Sequence, residues 1–235
     1  MILKNNLLFD DIGEIELVGC MGKDLDVVNS ARISYGGQSE DLDSKDIRLL
    51  NYLAQNNHSS PFRHNFATFR IKAPEFVMRQ WYKHVIGCSW TTPEFHNHGW
   101  NEISGRYKEI ERKFYIPRHF HEQSGTNKQA SAELLSTMPN DICRAQTNTL
   151  FKECYKTYEM MLNFGVSREQ ARIVLPLSMY TEVIWTASLQ ALHNFVELRN
   201  HEHAQYEIKL YAEAIGDVCS SLWPESWKAL TNKNQ

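Results

Sequence analysis

Apolar and polar positions alternate along 14–20 (Glu-Ile-Glu-Leu-Val-Gly-Cys), the period of two that marks a half-buried strand. The same alternation returns over 65–72 (Asn-Phe-Ala-Thr-Phe-Arg-Ile-Lys). Between them a polar, glycine-containing stretch at 34–44 leads into Ile47, Leu50, Leu53 and Ala54, which recur at helical spacing. Pro74 stands where a helix can begin, because the first turn has no use for the N–H that proline lacks. The segment 76–85 is read as that helix, and 86–101, with two glycines, a proline and no clean period, as a loop. A long helix is expected near 141–163, with Leu150, Cys154, Tyr158, Met161 and Leu162 as its apolar stripe. The run 175–186 is rich in β-formers and reads as a strand, and helical patterns fill 188–200 and 202–221. Helices and strands are interleaved without a regular βαβ period. The expectation is an α+β fold: one domain spanning 1–235, with a central, mostly antiparallel sheet flanked by helices. Neither a Gly-x-Gly-x-x-Gly turn nor a phosphate-loop pattern occurs, so no Rossmann turn holds a dinucleotide here.

Composition narrows the partners. The chain is 42% hydrophobic, enough for a sizeable core, and its net charge of -3 argues against a nucleic-acid polymer or an anionic membrane as partner. An anionic ligand must then be held by a local basic cluster. Five cysteines (Cys20, Cys88, Cys143, Cys154 and Cys219) include no Cys-x-x-Cys pair, and the odd count suits reduced thiols better than a disulfide framework. No run approaches the ~20 apolar residues of a membrane span. A soluble, cytoplasmic protein is the expectation.

Three clusters carry candidate chemistry. Taken as a helix, 76–85 puts Phe76, Arg79, Gln80, Lys83 and His84 on one arc and Val77, Met78, Trp81 and Val85 on the other. The polar arc is either a solvated surface or a seat for an anionic, hydrogen-bonding ligand, since no acidic residue on it pairs its two cations. Ser104-Gly105-Arg106 offers a hydroxyl, N–H groups freed by glycine and a guanidinium, which together can grip a phosphate or simply make a turn. In the third cluster Leu189, Leu192, Phe195 and Val196 form an apolar face, and Arg199 points into the same arc. A guanidinium there needs an anion, a carbonyl or a mouth to solvent. Snorkelling at a helix end would also serve.

The order of motifs is more specific than any one of them. His58-Ser-Ser-Pro-Phe62 with His64, Arg79-Gln80 with His84, and Asn101-Glu102-Ile103-Ser104-Gly105-Arg106-Tyr107 come first. Ala171-Arg172-Ile-Val-Leu-Pro176 and Leu198-Arg199 with His203-Ala204-Gln205 follow. Together they resemble the flavin-dependent thymidylate synthases across most of the chain. That family's signature reads R-H-R-x-x-S-x-N-E-x-S-x-R-Y. Here Arg-His-Arg is replaced by Lys83-His84-Val85, and an extra loop around 91–100 separates it from Asn101-Glu102. The Pro-Phe-Glu-His of many members is Pro61-Phe62-Arg63-His64, and two later positions that usually hold Asn and Arg are Ser188 and Gln190. These departures cluster at the flavin side, whereas the nucleotide side is largely retained.

The resemblance implies methylation of dUMP to dTMP with FAD as cofactor. Methylenetetrahydrofolate would be the carbon donor and NADPH the reductant, in a homotetramer whose active sites are shared between subunits. No enzyme nucleophile is used, and none of the five cysteines follows a proline as the thiolate of the other thymidylate synthase family does. By position, Gln80, Lys83, Glu102, Ile103, Ser104, Gly105, Arg106, Tyr107, Arg172 and Arg199 would contact dUMP, with Arg199 as the catalytic residue that polarises the pyrimidine. His58, Ser60, His84, Ile86, Ser188, Gln190, Asn194, Leu198 and His203 would contact FAD. The pairs His96–His98, His119–His121 and His201–His203 have a spacing that zinc accepts, but ten histidines make chance pairs expected, and no metal is assigned. Two alternatives stay open: a changed product on the same scaffold, such as a hydroxymethylated deoxyuridylate, and a nucleotide-binding relative without flavin chemistry.

Overall fold

The computed structural model describes residues 2–85, 99–125 and 131–232. Its centre is a five-stranded sheet of β1 (Leu3–Lys4), β2 (Glu14–Met21), β3 (Phe66–Pro74), β4 (Trp100–Glu102) and β7 (Tyr180–Ser188). The spatial order is β1-β2-β3-β7-β4, and every neighbouring pair is antiparallel. A separate two-stranded ribbon joins β5 (His121–Gln123) to β6 (Ser131–Leu134). The helices are α1 (Asp24–Arg32), α2 (Ser44–Gln55), α3 (Glu75–Trp81), α4 (Thr137–Asn163), α5 (Arg168–Ala171), α6 (Leu189–Arg199), α7 (Tyr206–Leu222) and α8 (Pro224–Thr231). The expected α+β class and antiparallel sheet are both present.

Alternation along β3 and β7 sets the two faces of the sheet. Ala67, Phe69, Ile71 and Ala73 of β3, with Val183, Trp185 and Ala187 of β7, are buried on one face, in register as Phe69↔Trp185 and Ile71↔Val183. The other face carries charge: Lys72 reaches Glu14 at 2.6 Å, and Arg70 reaches Glu16 at 3.0 Å and Glu182 at 3.5 Å. The Thr68 and Thr186 hydroxyls meet at 2.9 Å on the same side. Such cross-strand pairs fix register, because a slip of one residue would drive these charges into the core.

Trp81 occupies the middle of that core. It stacks on Phe195 of α6 with ring centroids 4.5 Å apart, and meets Trp185 of β7 at 5.5 Å and Tyr211 of α7 at 5.8 Å, both edge to face. One aromatic cluster thus ties α3, α6 and α7 to the sheet.

Several expected boundaries move. The helix begun by Pro74 ends at Trp81, because the His84 N–H bonds to the Trp81 carbonyl at 2.9 Å and the Val85 N–H to that of Lys83 at 3.1 Å, tightening the chain out of α geometry. The 175–186 strand starts only at Tyr180, since Pro176 opens a turn closed by the Met179 N–H at 3.0 Å. Trp100 and Asn101, read as loop, pair with Trp185 and Ile184 as an edge strand. Most of the extra loop (91–98), like Ile86 and the His96–His98 pair, lies outside the described residues. The long helix is longer than expected, at 27 residues, and its stripe is covered only in part. Leu150 is 59% exposed, Cys154, Met161 and Leu162 are partly buried and Tyr158 is buried. The segment 110–114 supplies part of that cover. Phe151 meets Phe114 ring to ring, the Tyr155 hydroxyl donates to the Ile110 carbonyl at 3.1 Å, and the Ile110 N–H donates to the Tyr158 hydroxyl at 3.1 Å.

Trp81→Ala is expected to lower the unfolding free energy by about 3–5 kcal/mol, the cost of a large aromatic cavity. Urea titration followed by fluorescence checks it, and a loss below about 1 kcal/mol would show that the cluster does not hold the helices together.

Candidate nucleotide and cofactor site

A cavity of about 490 Å³ opens beside β4 and the start of β7. It is lined by Glu102, Ile103, Ser104 and Gly105, by Arg172 from the turn after α5, and by Lys72, Glu75 and Thr181. The Ser104 turn is closed from inside: the Ser104 carbonyl accepts from the Tyr107 and Lys108 N–H groups at 3.1 and 3.2 Å, and the Ser104 hydroxyl accepts from the Arg106 N–H at 3.3 Å. At Gly105 a Cβ would stand 2.8 Å from the tip of the Ile110 side chain, which would have to shift, and in ordinary contact at 3.5 Å with the Arg172 side chain. The turn and Arg172 are therefore neighbours.

Not every residue that the resemblance assigns to dUMP lines this cavity. Arg106 and Tyr107 continue the turn outward and are exposed, with Arg106 3.4 Å from Glu169. Gln80, Lys83 and Arg199 lie outside it. Gln80 donates to Gln205, whose amide donates to Glu207 at 3.0 Å, and the Tyr115 hydroxyl donates to the same carboxylate at 3.2 Å. Lys83 is exposed in the turn that follows α3.

Arg199 and His84 form the second group. The Arg199 Nε–H donates to His84 Nε2 at 2.9 Å, and the imidazole packs edge to face on Phe195 at 5.0 Å. Burial, and then the neighbouring Arg199 charge, push His84 down to about 4. At neutral pH the ring is therefore uncharged and accepts through Nε2. Burial also lowers the pKa of Arg199. Among the described residues no carboxylate pairs with this guanidinium. Its half-buried place is met by a neutral acceptor and an opening to solvent.

The residues assigned to FAD spread along α6 and the short 3₁₀ turn Ser60–Arg63. Gln190, Asn194 and Leu198 recur one turn apart, so they share a face of α6, and the Arg63 Nε–H donates to Gln190 Oε1 at 2.5 Å, bringing the Ser60 turn beside that face. Leu198 is 58% exposed, and His58 packs edge to face on Tyr52 at 5.8 Å. His203 lies exposed after α6, 3.3 Å from Glu202 and 5.2 Å from the ring of His201. Ser188 needs a correction. It has no exposed surface, and its hydroxyl caps α6 by accepting from the Ala191 N–H at 3.3 Å, so it supports the site from behind.

Sequence reading missed Glu75 and Thr181. The Thr181 hydroxyl donates to Glu102 Oε1 at 2.7 Å, and the Glu75 carboxyl lines the same cavity, its pKa raised by burial and then by the charge of Glu102. A carboxylate directly after Pro74, at the start of a helix, looks like an ordinary complement to the helix dipole. Nothing in the linear pattern linked it to Glu102.

Together these features define an α+β protein with a polar cavity of mixed charge at the start of β7 and a half-open ledge on α6, which follows the other end of that strand. The family described as thymidylate synthase complementing protein matches residues 16–225. The chain is 38% identical over 219 residues to the flavin-dependent thymidylate synthase of Thermotoga neapolitana, covering 93% of this chain and 91% of that one. It is also 38% identical over 219 residues to the enzyme of the same name from Thermus thermophilus, covering 93% and 76%. A crystal structure of a UMP/dUMP methylase, PolB from Streptomyces cacaoi, bound with 5-Br dUMP, superposes with a TM-score of 0.78 at 30% identity, over 92% of this chain and 93% of that one. The chain belongs to the flavin-dependent thymidylate synthase family.

His84 gives a pH signature. Its pKa is depressed in the folded state, so between about 6.5 and about 4 the unfolded chain binds more protons. The stability tied to neutral His84 is thus complete above about 6.5 and is lost as pH falls toward about 4. Thermal melts across that range are expected to show a fall that His84→Gln reduces; identical profiles would mean that His84 is not buried neutral.

Proposed function

We propose that this protein methylates dUMP to dTMP with FAD as cofactor, methylenetetrahydrofolate as carbon donor and NADPH as reductant. The observation that carries this reading is the single cavity in which Glu102, Ile103, Ser104, Gly105 and Arg172 meet, in a chain of this family. Arg172 and the Ser104–Gly105 turn suit a 5′-phosphate: a guanidinium supplies a forked, charge-assisted contact, and the turn supplies N–H donors. Glu102 supplies an acceptor for the nucleoside end.

FAD fits the chemistry of the α6 ledge. Asn194 and Gln190 provide amides, His58, His84 and His203 provide imidazoles, and Leu198 provides exposed apolar surface for a ring system. When bound, the flavin supplies the redox chemistry, and the protein's share is orientation and charge. Arg199 serves that share. Against a neutral imidazole its charge is not cancelled, so it can stabilise negative charge that develops on the pyrimidine.

The nucleotide residues fall into two groups within one chain, around the cavity and around Arg199, which supports a site completed by another subunit. A homotetramer is the proposed assembly. Met138, Ile142, Leu150 and Met160 along α4, with Phe164, Ile173 and Leu177 beyond it, are exposed apolar residues that such an assembly would cover.

The test is product analysis with dUMP, methylenetetrahydrofolate and NADPH on protein first titrated with FAD and sized by light scattering. Formation of dTMP by a tetramer that takes up FAD is expected, with UMP as the comparison substrate because the structural neighbour is a UMP/dUMP methylase. A modified deoxyuridylate other than dTMP would indicate a changed reaction. The absence of any flavin spectral change or thermal shift at saturating FAD would remove the cofactor assignment.

Arg199→Lys keeps the charge and loses the planar fork. Single-turnover methylation at saturating dUMP is expected to slow by about 10–100-fold while NADPH oxidation persists. An unchanged rate would leave Arg199 a structural partner of His84.

A further inference from the structure

Pro74 ends β3 and fixes Glu75 at the first position of α3, where its side chain lines the same cavity as Glu102, Ser104, Gly105 and Arg172. The resemblance assigns it no role. Its carboxyl shares that lining with the carboxyl of Glu102, which accepts from the Thr181 hydroxyl at 2.7 Å. Ionising both of two neighbouring carboxyl groups is costly, so one of them keeps its proton to higher pH than an isolated carboxyl would. Burial, then the charge and hydrogen bond of Glu102, push Glu75 up to about 7, with Arg79 and Arg172 pulling the other way. Among the described residues Glu75 makes no ion pair with a lysine or arginine, so a plain salt bridge does not account for it.

Several charges around this pair are matched, whereas Arg79 and Arg172 form no ion pair among the described residues. On the sheet side Lys72 is held by Glu14 at 2.6 Å, and Glu182 faces Arg70 at 3.5 Å. From the segment after the Ser104 turn, Glu111 is bonded to Lys108 and Lys113 at 3.1 and 2.7 Å, and Glu109 faces Arg168 at 3.5 Å. Glu111 is held down to about 2 by those two lysines. Glu75 is the group lining this cavity whose ionisation is pushed toward neutral pH.

We propose that Glu75 is a positioning residue for the nucleotide: as a neutral acid it donates to Glu102 and holds that carboxylate as an acceptor for dUMP, and on losing its proton it weakens binding of the anionic nucleotide. This rests on the dUMP reading given above. The sign follows from linkage. An anion bound beside Glu75 favours the protonated acid, so affinity is greatest below about pH 7 and falls as pH rises through it. If bound dUMP raises the proton affinity of Glu75 by about one pH unit, the full change is about tenfold.

The experiment is calorimetric titration of the full-length protein with dUMP between about pH 6 and about pH 8.5, on the unsubstituted chain and on Glu75→Gln. Glutamine keeps the shape and the hydrogen-bond donor but has no proton to lose. The phosphate's own ionisation affects both proteins alike and cancels in the ratio of their dissociation constants. That ratio, unsubstituted over Glu75→Gln, is expected to rise about tenfold across the range, while Glu75→Ala binds more weakly at every pH because Glu102 loses its donor. A ratio that stays flat would overturn the proposal. So would a Glu75→Gln protein that melts like the unsubstituted one yet binds no dUMP, since the charge rather than the donor would then be needed. Failure of the unsubstituted protein to bind dUMP at any pH would instead remove the dUMP reading and this inference with it.

Discussion

The stack of Trp81 on Phe195 is the contact on which the rest of the site depends. Both rings have no exposed surface, and with Trp185 and Tyr211 they set the relative positions of α3, β7, α6 and α7. Gln80 directly precedes Trp81, His84 follows three residues later, and Arg199 is one turn beyond Phe195. The polar atoms of the second group are therefore positioned by rings packed immediately beneath them. Dense interiors transmit displacement, so a shift in this cluster would carry His84 and Arg199 with it. The indole N–H groups of Trp81 and Trp185 find no acceptor among the described residues, an enthalpic sacrifice that apolar burial and ring packing outweigh.

From that base the two ends of the sheet do different work. At the cavity end the Ser104 turn, Arg172, Glu75 and Glu102 bring backbone N–H groups, a guanidinium and two carboxyls to one place. At the α6 end a buried, neutral His84 receives a hydrogen bond from Arg199 without quenching its charge. A carboxylate in place of His84 would neutralise the guanidinium. An apolar residue would leave its Nε–H without this acceptor.

Departures from the family pattern also acquire a physical meaning in three dimensions. Arg63 replaces the family's glutamate and Gln190 the later arginine, and in this chain the two new side chains bond to each other. Arg63 donates to Ser59 as well, at 3.2 Å. The Ser60 turn is thus tied to α6 by a guanidinium–amide contact. Ser188 follows a different logic, since a serine buried at a helix N-cap satisfies an orphan N–H.

Much of the architecture was legible in the chain. Alternation located β2 and β3, because a half-buried strand forces a period of two, and richness in β-formers located most of β7. Apolar spacing located α6 and α7, and the order of short motifs identified the family. Boundaries were less legible, since the end of α3 depends on which carbonyls capture the His84 and Val85 N–H groups. The stripe of α4 misled in part, because periodicity reports where apolar residues lie along a helix, not what covers them. Arg199 was marked by the sequence as a charge in an apolar arc; that its acceptor is a neutral His84 115 residues away was decided by the packing of α3 on α6. Glu75 shows the limit most plainly. Its neighbour Glu102 is 27 positions distant and sits on a strand that pairs with β7, so the two carboxyls come to line one cavity only once the sheet has closed.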